Sequence, residues 1–251
     1  MIEVSALWRH PIKSHGREAL TRVTLQKAQT MPWDRTWAVT HEETKFDAAN
    51  PEWSHCRNFM LGSRTPKLAA IRATLDEESR RITLRHADLE EITFNPDDES
   101  DIPRFLAWVT PLCAAGRVLP ETVVSVEGRG MTDSSFPSVS IMNEASHLAV
   151  QDALGTPIGM ERWRGNIWLN GLTPWAEHEW IGRDIQIGGA TLRIRERIRR
   201  CTVTNTNPVT GIRDTETLNA LNTTFGHQDF GVYAEVIKGG AITLGAEATL
   251  I

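Results

Sequence analysis

Cys201 closes a run of alternating arginines, Arg193, Arg195, Arg197 and Arg199, and opens the stretch Cys-Thr-Val-Thr-Asn-Thr-Asn-Pro (201–208). Residues two apart in a strand share a face, so these arginines and Cys201 are expected on one side, with Leu192, Ile194 and Ile198 on the other. A row of cations beside a cysteine favours the thiolate, the nucleophilic and metal-binding form. It also draws in an anionic ligand. The Thr-Asn-Thr-Asn-Pro run predicts a turn with free backbone donors. The chemistry expected is that of a thiolate-and-anion site, although a half-solvated strand ending in a structural cysteine shows the same alternation.

The rest of the composition narrows that reading. The chain has 251 residues, 40% of them hydrophobic and 24% charged, as in ordinary globular proteins. Its formal charge of −5 argues against a general nucleic-acid binder and makes the basic run before Cys201 a local feature. Cys56, Cys113 and Cys201 are far apart and form no CxxC pair, so a metal bound here would take few protein ligands. A metal carried in by a cofactor fits that economy of ligands. No stretch is long enough to span a membrane, and the opening Met-Ile-Glu-Val-Ser-Ala-Leu-Trp lacks the pattern of a secretory signal, so a cytoplasmic location is expected.

The elements that must position the site read mainly as strands. Val4–Trp8, Leu20–Leu25, Arg35–Thr40, Lys67–Leu75 and Arg81–Leu84 are short apolar or alternating runs separated by turn residues, predicting a barrel or sandwich. The acidic stretch Asn95–Pro103 predicts a surface loop between domains. A helix is expected over Arg104–Ala115, a strand over Thr122–Val126, and a helix over Glu144–Leu154 capped by Asn143. Strands are expected at Asn166–Asn170, Ile185–Ile187, Thr191–Ile198, Val232–Ile237 and Ala241–Leu244, the last two joined by a hairpin turn at Lys238-Gly239-Gly240. Asp214 is expected to cap a short helix over Glu216–Thr224 that ends at Gly226.

Several motifs, in order along the chain, resemble the MOSC family, found at the C-terminus of molybdenum cofactor sulfurases and in amidoxime-reducing molybdenum enzymes. His-Pro-Ile-Lys-Ser (10–14) and Asp-Arg-Thr-Trp (34–37) are similar to its N-terminal barrel motifs. Arg-Trp-Arg-Gly-Asn-Ile (162–167), Ala-Glu-His-Glu-Trp (176–180), Arg-Arg-Cys-Thr-Val-Thr-Asn-Thr-Asn-Pro-Val-Thr-Gly (199–211) and Phe-Gly (225–226) are similar to the MOSC core. The resemblance implies a mostly β fold with a few short helices: an N-terminal β-barrel domain, placed at 1–100, and a MOSC β-barrel domain at 101–251.

The resemblance also implies a molybdenum cofactor (Mo-molybdopterin) whose metal is ligated by Cys201. By motif match, Lys13, Ser14, Arg35, Arg164, Asn166, Arg200 and Thr204 would hold the pterin and its phosphate, where arginine's planar fork is apt. Asp133 is placed as a proton donor near the metal, its pKa expected to be raised by a low-dielectric pocket. The implied activity is that of an oxidoreductase acting on N-hydroxylated or N-oxygenated small molecules. Electrons would come from an external donor protein of ferredoxin, flavodoxin or cytochrome type, because the sequence shows no further cysteine cluster and no nucleotide-binding glycine pattern. The alternative is a cofactor-binding or sulfur-carrier protein with a persulfide on Cys201. Cys56 and Cys113 fall in no motif and are expected to be without a role. Three positions depart from the family: Trp33 where glycine is common, Gly165 where proline is usual, and Asn207 where aspartate is usual.

Overall fold

Alternation of apolar and charged residues sets the architecture, most visibly in the strand that leads to Cys201. The computed structural model describes residues 1–114 and 116–251. The first half of the chain forms β1 (Ile2–Arg9), β2 (Glu18–Leu20), β3 (Arg22–Leu25), β4 (Trp37–His41), β5 (Arg72–Asp76), β6 (Arg81–His86), β7 (Leu89–Phe94), α1 (Ile102–Val109) and β8 (Pro120–Ser125). The second half forms β9 (Val139–Asn143), α2 (Glu144–Leu154), β10 (Ile167–Asn170), β11 (Asp184–Ile187), β12 (Ala190–Arg199), α3 (Thr217–Phe225), β13 (Asp229–Lys238), β14 (Gly240–Thr243) and β15 (Glu247–Leu250).

A closed seven-stranded barrel runs β1-β10-β9-β13-β12-β11-β15 and back to β1, with β2 added outside on β1. Closure removes the exposed edges that an open sheet of this length would present. In β12, Leu192, Ile194 and Ile198 are buried while Arg193, Arg195, Arg197 and Arg199 are exposed, as the alternation predicts. The inward rows meet in one core that includes Val4, Leu7, Ile141, Ile167, Leu169, Ile185, Leu192, Ile194 and Val232. The mostly β class with a few short helices is as expected from the sequence.

A second apolar cluster lies under the three-stranded sheet β5-β6-β7 and the helix α1. Phe94 of β7 and Phe105 of α1 stack with centroids 4.5 Å apart, which fixes the helix on the sheet. β4 pairs with β8, and its face carries the fully buried Trp37. Trp37 Nε1 donates to Asp97 at 2.8 Å, tying the acidic 95–101 segment to this layer. The two layers are stitched by buried Arg17, whose guanidinium donates to the carbonyls of Ala69 at 3.2 Å and Pro208 at 3.0 Å.

Several local expectations change. The run 20–25 divides, with Leu20 ending β2 on β1 and β3 pairing with β14, so one apolar stretch serves two sheets. Residues 67–70 of the run 67–75 fall in a short helical turn opened by Pro66, and the strand starts at Arg72. The helix after 101 is α1 followed by a tighter turn over Thr110–Leu112; Ala115, the end of the predicted helix, lies outside the described residues. Lys238-Gly239-Gly240 does not make a hairpin, because β14 leaves β13 to pair with β3. A Cβ at Gly240 would lie 2.1 Å from the Gly189 carbonyl oxygen, so glycine here serves close backbone passage. α3 begins after Glu216, without a side-chain cap, and Asp214 instead accepts hydrogen bonds from Arg162 and Asn207. The α2 cap is as predicted, Asn143 accepting from the Ala145 amide at 2.9 Å.

Candidate functional site

The loop between β1 and β2, the segment before β4, the turn after β8 and the ends of β9, β12 and β13 converge on one pocket. Its cavity volume is about 230 Å³, a small cleft that opens to solvent. Lys13, Ser14, Arg35, Asp133, Arg164, Arg200 and Cys201 all line it, from positions scattered along the chain. Its apolar wall includes Leu61, Met142, Trp163, Ile198 and Val203.

The cations are held by different means. Lys13 is buried, and its ammonium donates to the Met131 carbonyl at 2.7 Å and to Asp133 at 2.5 Å. Arg35 pairs with the adjacent, fully buried Asp34 and reaches the Arg164 carbonyl at 3.1 Å. Asp34 also accepts from the His10 amide at 2.8 Å and lies 3.2 Å from His10 Nδ1. Burial alone would raise the Asp34 pKa, but Arg35 and these hydrogen bonds hold it well below the carboxylate range. His10 sits beside that carboxylate yet is pushed down to about 3, because burial, Arg164 and Arg35 together outweigh Asp34. It is neutral at pH 7, a hydrogen-bond donor to Asp34 rather than half of an ion pair.

Arg164 and Arg200 have no carboxylate partner among the described residues. Arg164 donates to the Gly16 carbonyl at 3.2 Å. Burial, Arg35 and Arg17 push its pKa down to about 9, which still leaves it a cation at neutral pH. Arg200 donates to the carbonyls of Trp163 at 2.8 Å and Phe230 at 2.9 Å, and lies over both of those rings, which stack 3.7 Å apart. Burial lowers its pKa to about 10. The pocket therefore carries excess positive charge, and an anion would balance it.

Three pocket residues, Ser14, Arg35 and Arg164, have left-handed backbones with φ of 65°, 54° and 49°. Each such conformation costs roughly 1–3 kcal/mol in a residue other than glycine and persists where the surroundings over-determine it, as they commonly do at functional sites.

The sequence expectations fare unevenly here. Cys201 is exposed at the pocket, but the alternating arginines before it are not its electrostatic partners. Arg193 pairs with Asp184, Arg195 with Glu235, and Arg197 with Glu179. Only Arg199 of that row reaches the pocket, and the cations beside Cys201 come from Lys13, Arg35, Arg164 and Arg200. Asn166 and Thr204 stand behind the lining. Asn166 is buried, accepts from Ser140 N at 3.1 Å and Oγ at 2.7 Å, and donates to the Trp8 carbonyl at 3.2 Å. Thr204 Oγ1 donates to the Cys201 carbonyl at 3.1 Å and meets Thr217 Oγ1 at 2.6 Å, which braces the turn that carries the cysteine. The pKa of Asp133 moves opposite to the expected direction. Desolvation at the pocket edge would raise it, but the side chain is half exposed and Lys13, Arg35 and Arg164 hold it below the ordinary value, so it is an ionised acceptor. Cys56, in no motif, lines the same pocket as Cys201.

Residues 1–115 match the MOSC N-terminal beta barrel domain, and residues 133–249 match the MOSC domain. The chain belongs to the MOSC family. MOSC domains occur in molybdenum cofactor-binding proteins, and the pocket described above draws on both matched segments of this MOSC chain. Among solved structures, the YUAD protein from Bacillus subtilis is 12% identical, with 100% of this chain and 96% of that one covered at a TM-score of 0.48. YiiM from Geobacillus stearothermophilus is 17% identical over 45% of this chain and 53% of that one, at a TM-score of 0.34. No curated protein matches the sequence.

The departures from the MOSC pattern have local explanations. Trp33 has φ of 63°, a backbone that favours the glycine common there; here it stacks on Trp37 at 5.7 Å, with Arg80 over its ring. Asn207 is not in the pocket lining. Its Oδ1 accepts from Val209 N at 2.9 Å and its amide donates to Asp214 at 2.7 Å, so the missing carboxylate alters a turn and not the pocket wall. At Gly165 a Cβ would lie 2.2 Å from Met142 Cγ, and Met142 Sδ in turn accepts from Arg200 at 3.2 Å. Gly165→Ala is expected to displace Met142 and cost about 1–3 kcal/mol, the usual range for overpacking. Thermal unfolding checks this; a melting temperature equal to the parent's would contradict it.

Tyr233 and Cys56 were not foreseen as pocket residues. Tyr233 is the chain's one tyrosine, the only sequence signal it offered. Cys56 offered none, because its place in the pocket depends on the packing of the 56–63 segment against the MOSC barrel.

Proposed function

We propose that the protein binds a molybdenum cofactor and reduces N-hydroxylated or related N-oxygenated small molecules with electrons from a separate donor protein. One observation carries the reading: Cys201 opens onto a pocket where Arg164 and Arg200 stand without carboxylate partners. That pairs a soft thiol donor with an anion cradle, the donor set wanted by a metal that arrives on a phosphate-bearing dithiolene cofactor. When bound, the cofactor would supply a two-electron centre with a position open to a substrate oxygen.

The chain's own residues have distinct parts in this reading. Lys13, Arg35, Arg164 and Arg200 hold the anionic end of the cofactor, and the left-handed backbones of Ser14, Arg35 and Arg164 aim them inward. Thr204 and Asn166 position the cysteine turn and the β9–β10 strand ends rather than touching the ligand. Asp133, ionised, orients Lys13. Removing oxygen from an N–OH group takes up two electrons and two protons and releases water, and the open mouth admits the protons from solvent.

The test is production in a host that makes the cofactor. About one molybdenum and one pterin per chain, with turnover of an N-hydroxylated amidine by a reduced viologen dye, are expected. Protein that holds neither metal nor pterin from such a host would overturn the reading. A second reading, sulfur carriage as a persulfide, is favoured by the exposure of Cys201. It requires cyanide-releasable sulfur on Cys201 and no turnover. Under the first reading Arg164→Gln is expected to lower pterin content at least several-fold with the fold retained. Pterin content unchanged in that variant would remove Arg164 from the cradle.

A further inference from the structure

Tyr233 is a polar pocket residue without a task in the scheme above. Tyr233 lies on β13, opposite Ser140 of β9 and Glu196 of β12, where the β12–β13 register shifts between Ile194 and Glu196. Its ring packs against the cluster that contains Trp163, Ile198 and Phe230, which fixes where the hydroxyl points. Tyr233 lines the pocket, and its hydroxyl has no hydrogen-bond partner among the described residues.

Three polar neighbours cannot take the same part. Asp133 is an ionised acceptor already bound to Lys13, and an ionised carboxylate has no proton to donate. Ser140 Oγ is committed to Asn166. Arg200 is directed at the Trp163 and Phe230 carbonyls. Burial and the nearby Asp133 push the Tyr233 pKa up, against the opposing pull of Arg200 and Arg35, so the phenol keeps its proton at every working pH. A neutral donor with a free hydrogen thus faces the cavity, beside an apolar wall.

We propose that the Tyr233 hydroxyl is a catalytic residue that donates a hydrogen bond to the oxygen of an N-oxygenated substrate whose apolar body rests on Leu61, Ile198 and Val203. This rests on the function proposed above and adds the group that recognises the departing oxygen. As the N–OH bond breaks, the electron pair from the external donor leaves charge on the departing hydroxide and on nitrogen; one solvent proton converts the hydroxide to water and a second goes to nitrogen. Tyr233 keeps its own proton throughout. Its bond is stronger in the transition state than in the ground state because the oxygen gains charge, which is the condition for a rate effect. The same contact selects for substrates that present an oxygen acceptor over their reduced counterparts.

The experiment uses full-length protein from a host that makes the cofactor. Tyr233→Phe keeps the packed ring and is expected to lower kcat about 100-fold, the usual loss for one such donor, with KM changed far less and molybdenum content equal to the parent. A kcat within twofold of the parent would overturn the assignment while leaving the functional reading intact. The second readout does not need turnover. Because the chain has one tyrosine, 3-fluorotyrosine labelling gives a single fluorine resonance. Titration with benzamidoxime, an N-hydroxylated amidine, is expected to shift that resonance saturably, and benzamidine, which lacks the oxygen, is expected to shift it much less. Equal responses to both, or none, would overturn the proposal whether or not the protein turns over. Loss of turnover in the parent with the selective fluorine shift retained would sink the functional reading alone.

Discussion

Cys201→Ser is expected to reduce bound molybdenum and reductase activity to less than about a tenth of the parent, with circular dichroism and melting temperature nearly unchanged. The size of the loss follows from the donor atom. A serine hydroxyl is a hard ligand that stays protonated at neutral pH, whereas a thiolate is soft and readily formed. The indifference of the fold follows from the environment. Cys201 is exposed, and its backbone, not its side chain, accepts the bonds from Thr204 N and Oγ1 that hold the turn. Substitutions of that kind usually stay within about 0.5 kcal/mol. Cys113→Ala is the matched control: half-buried beside Val109 and not part of the pocket lining, it is expected to keep metal and activity. Molybdenum and activity equal to the parent in the Ser variant would remove Cys201 from the metal.

How far the site was legible depends on which physical rule placed each residue. The period-two alternation of β12 is local, so its buried and exposed faces could be read directly. The partners of its arginines could not be read, since they depend on register. Asp184 sits opposite Arg193 across β11–β12, and Glu235 lies on β13 beside Arg195. A chain with those arginines neutralised needed its pocket charge from elsewhere, and the ordered motifs supplied Lys13, Arg35 and Arg164. The motifs also brought in Asn166 and Thr204, which stand behind the pocket lining. Asp133 fails for a third reason. Its side chain is half exposed rather than enclosed, and the cation that holds its pKa down, Lys13, is 120 residues away in sequence.

The loop that carries Lys13 and Ser14 owes its position to the strand before it. β1, from the first residues of the chain, closes the barrel between β10 and β15, so the segment after Arg9 must leave at the barrel's end. Asp34 then clamps that segment through the His10 amide, and Arg35 turns from the same point toward Arg164. Buried charges of this kind are poor evidence for stability, because desolvation offsets much of the attraction. They specify geometry: Asp34→Ala would leave Arg35 uncompensated inside the protein, at a cost of about 3–5 kcal/mol.

Mild acid is expected to destabilise the protein sharply, beginning near pH 6.5. His10 is pushed down to about 3, and His15, His147 and His178 to about 4, each chiefly by burial. All four are almost fully enclosed; among the described residues His15 Nε2 and His178 Nε2 have no hydrogen-bond partner, His178 Nε2 standing 4.0 Å from the Glu177 carboxylate, so a proton added at His15 would be an unpaired buried charge. In the unfolded chain each titrates near the ordinary value of about 6.5. Below that pH the unfolded state binds protons that the native state cannot accept. Stability is therefore complete above about pH 6.5 and falls as pH drops through the window between that value and the folded pKa. Each histidine contributes at most about 1.4 kcal/mol per pH unit, so four acting together approach about 5 kcal/mol per unit. Set against a typical total of about 5–15 kcal/mol, that is enough to move the unfolding transition within one or two units. Asp34 adds a second loss of the same sign only in stronger acid, because its pKa is depressed from the carboxylate range. Urea midpoints measured at pH 7.5 and 5.5 check the argument: the lower pH is expected to give a much smaller midpoint at similar slope. Equal midpoints would mean that these histidines are charged, or already solvated, in the native protein.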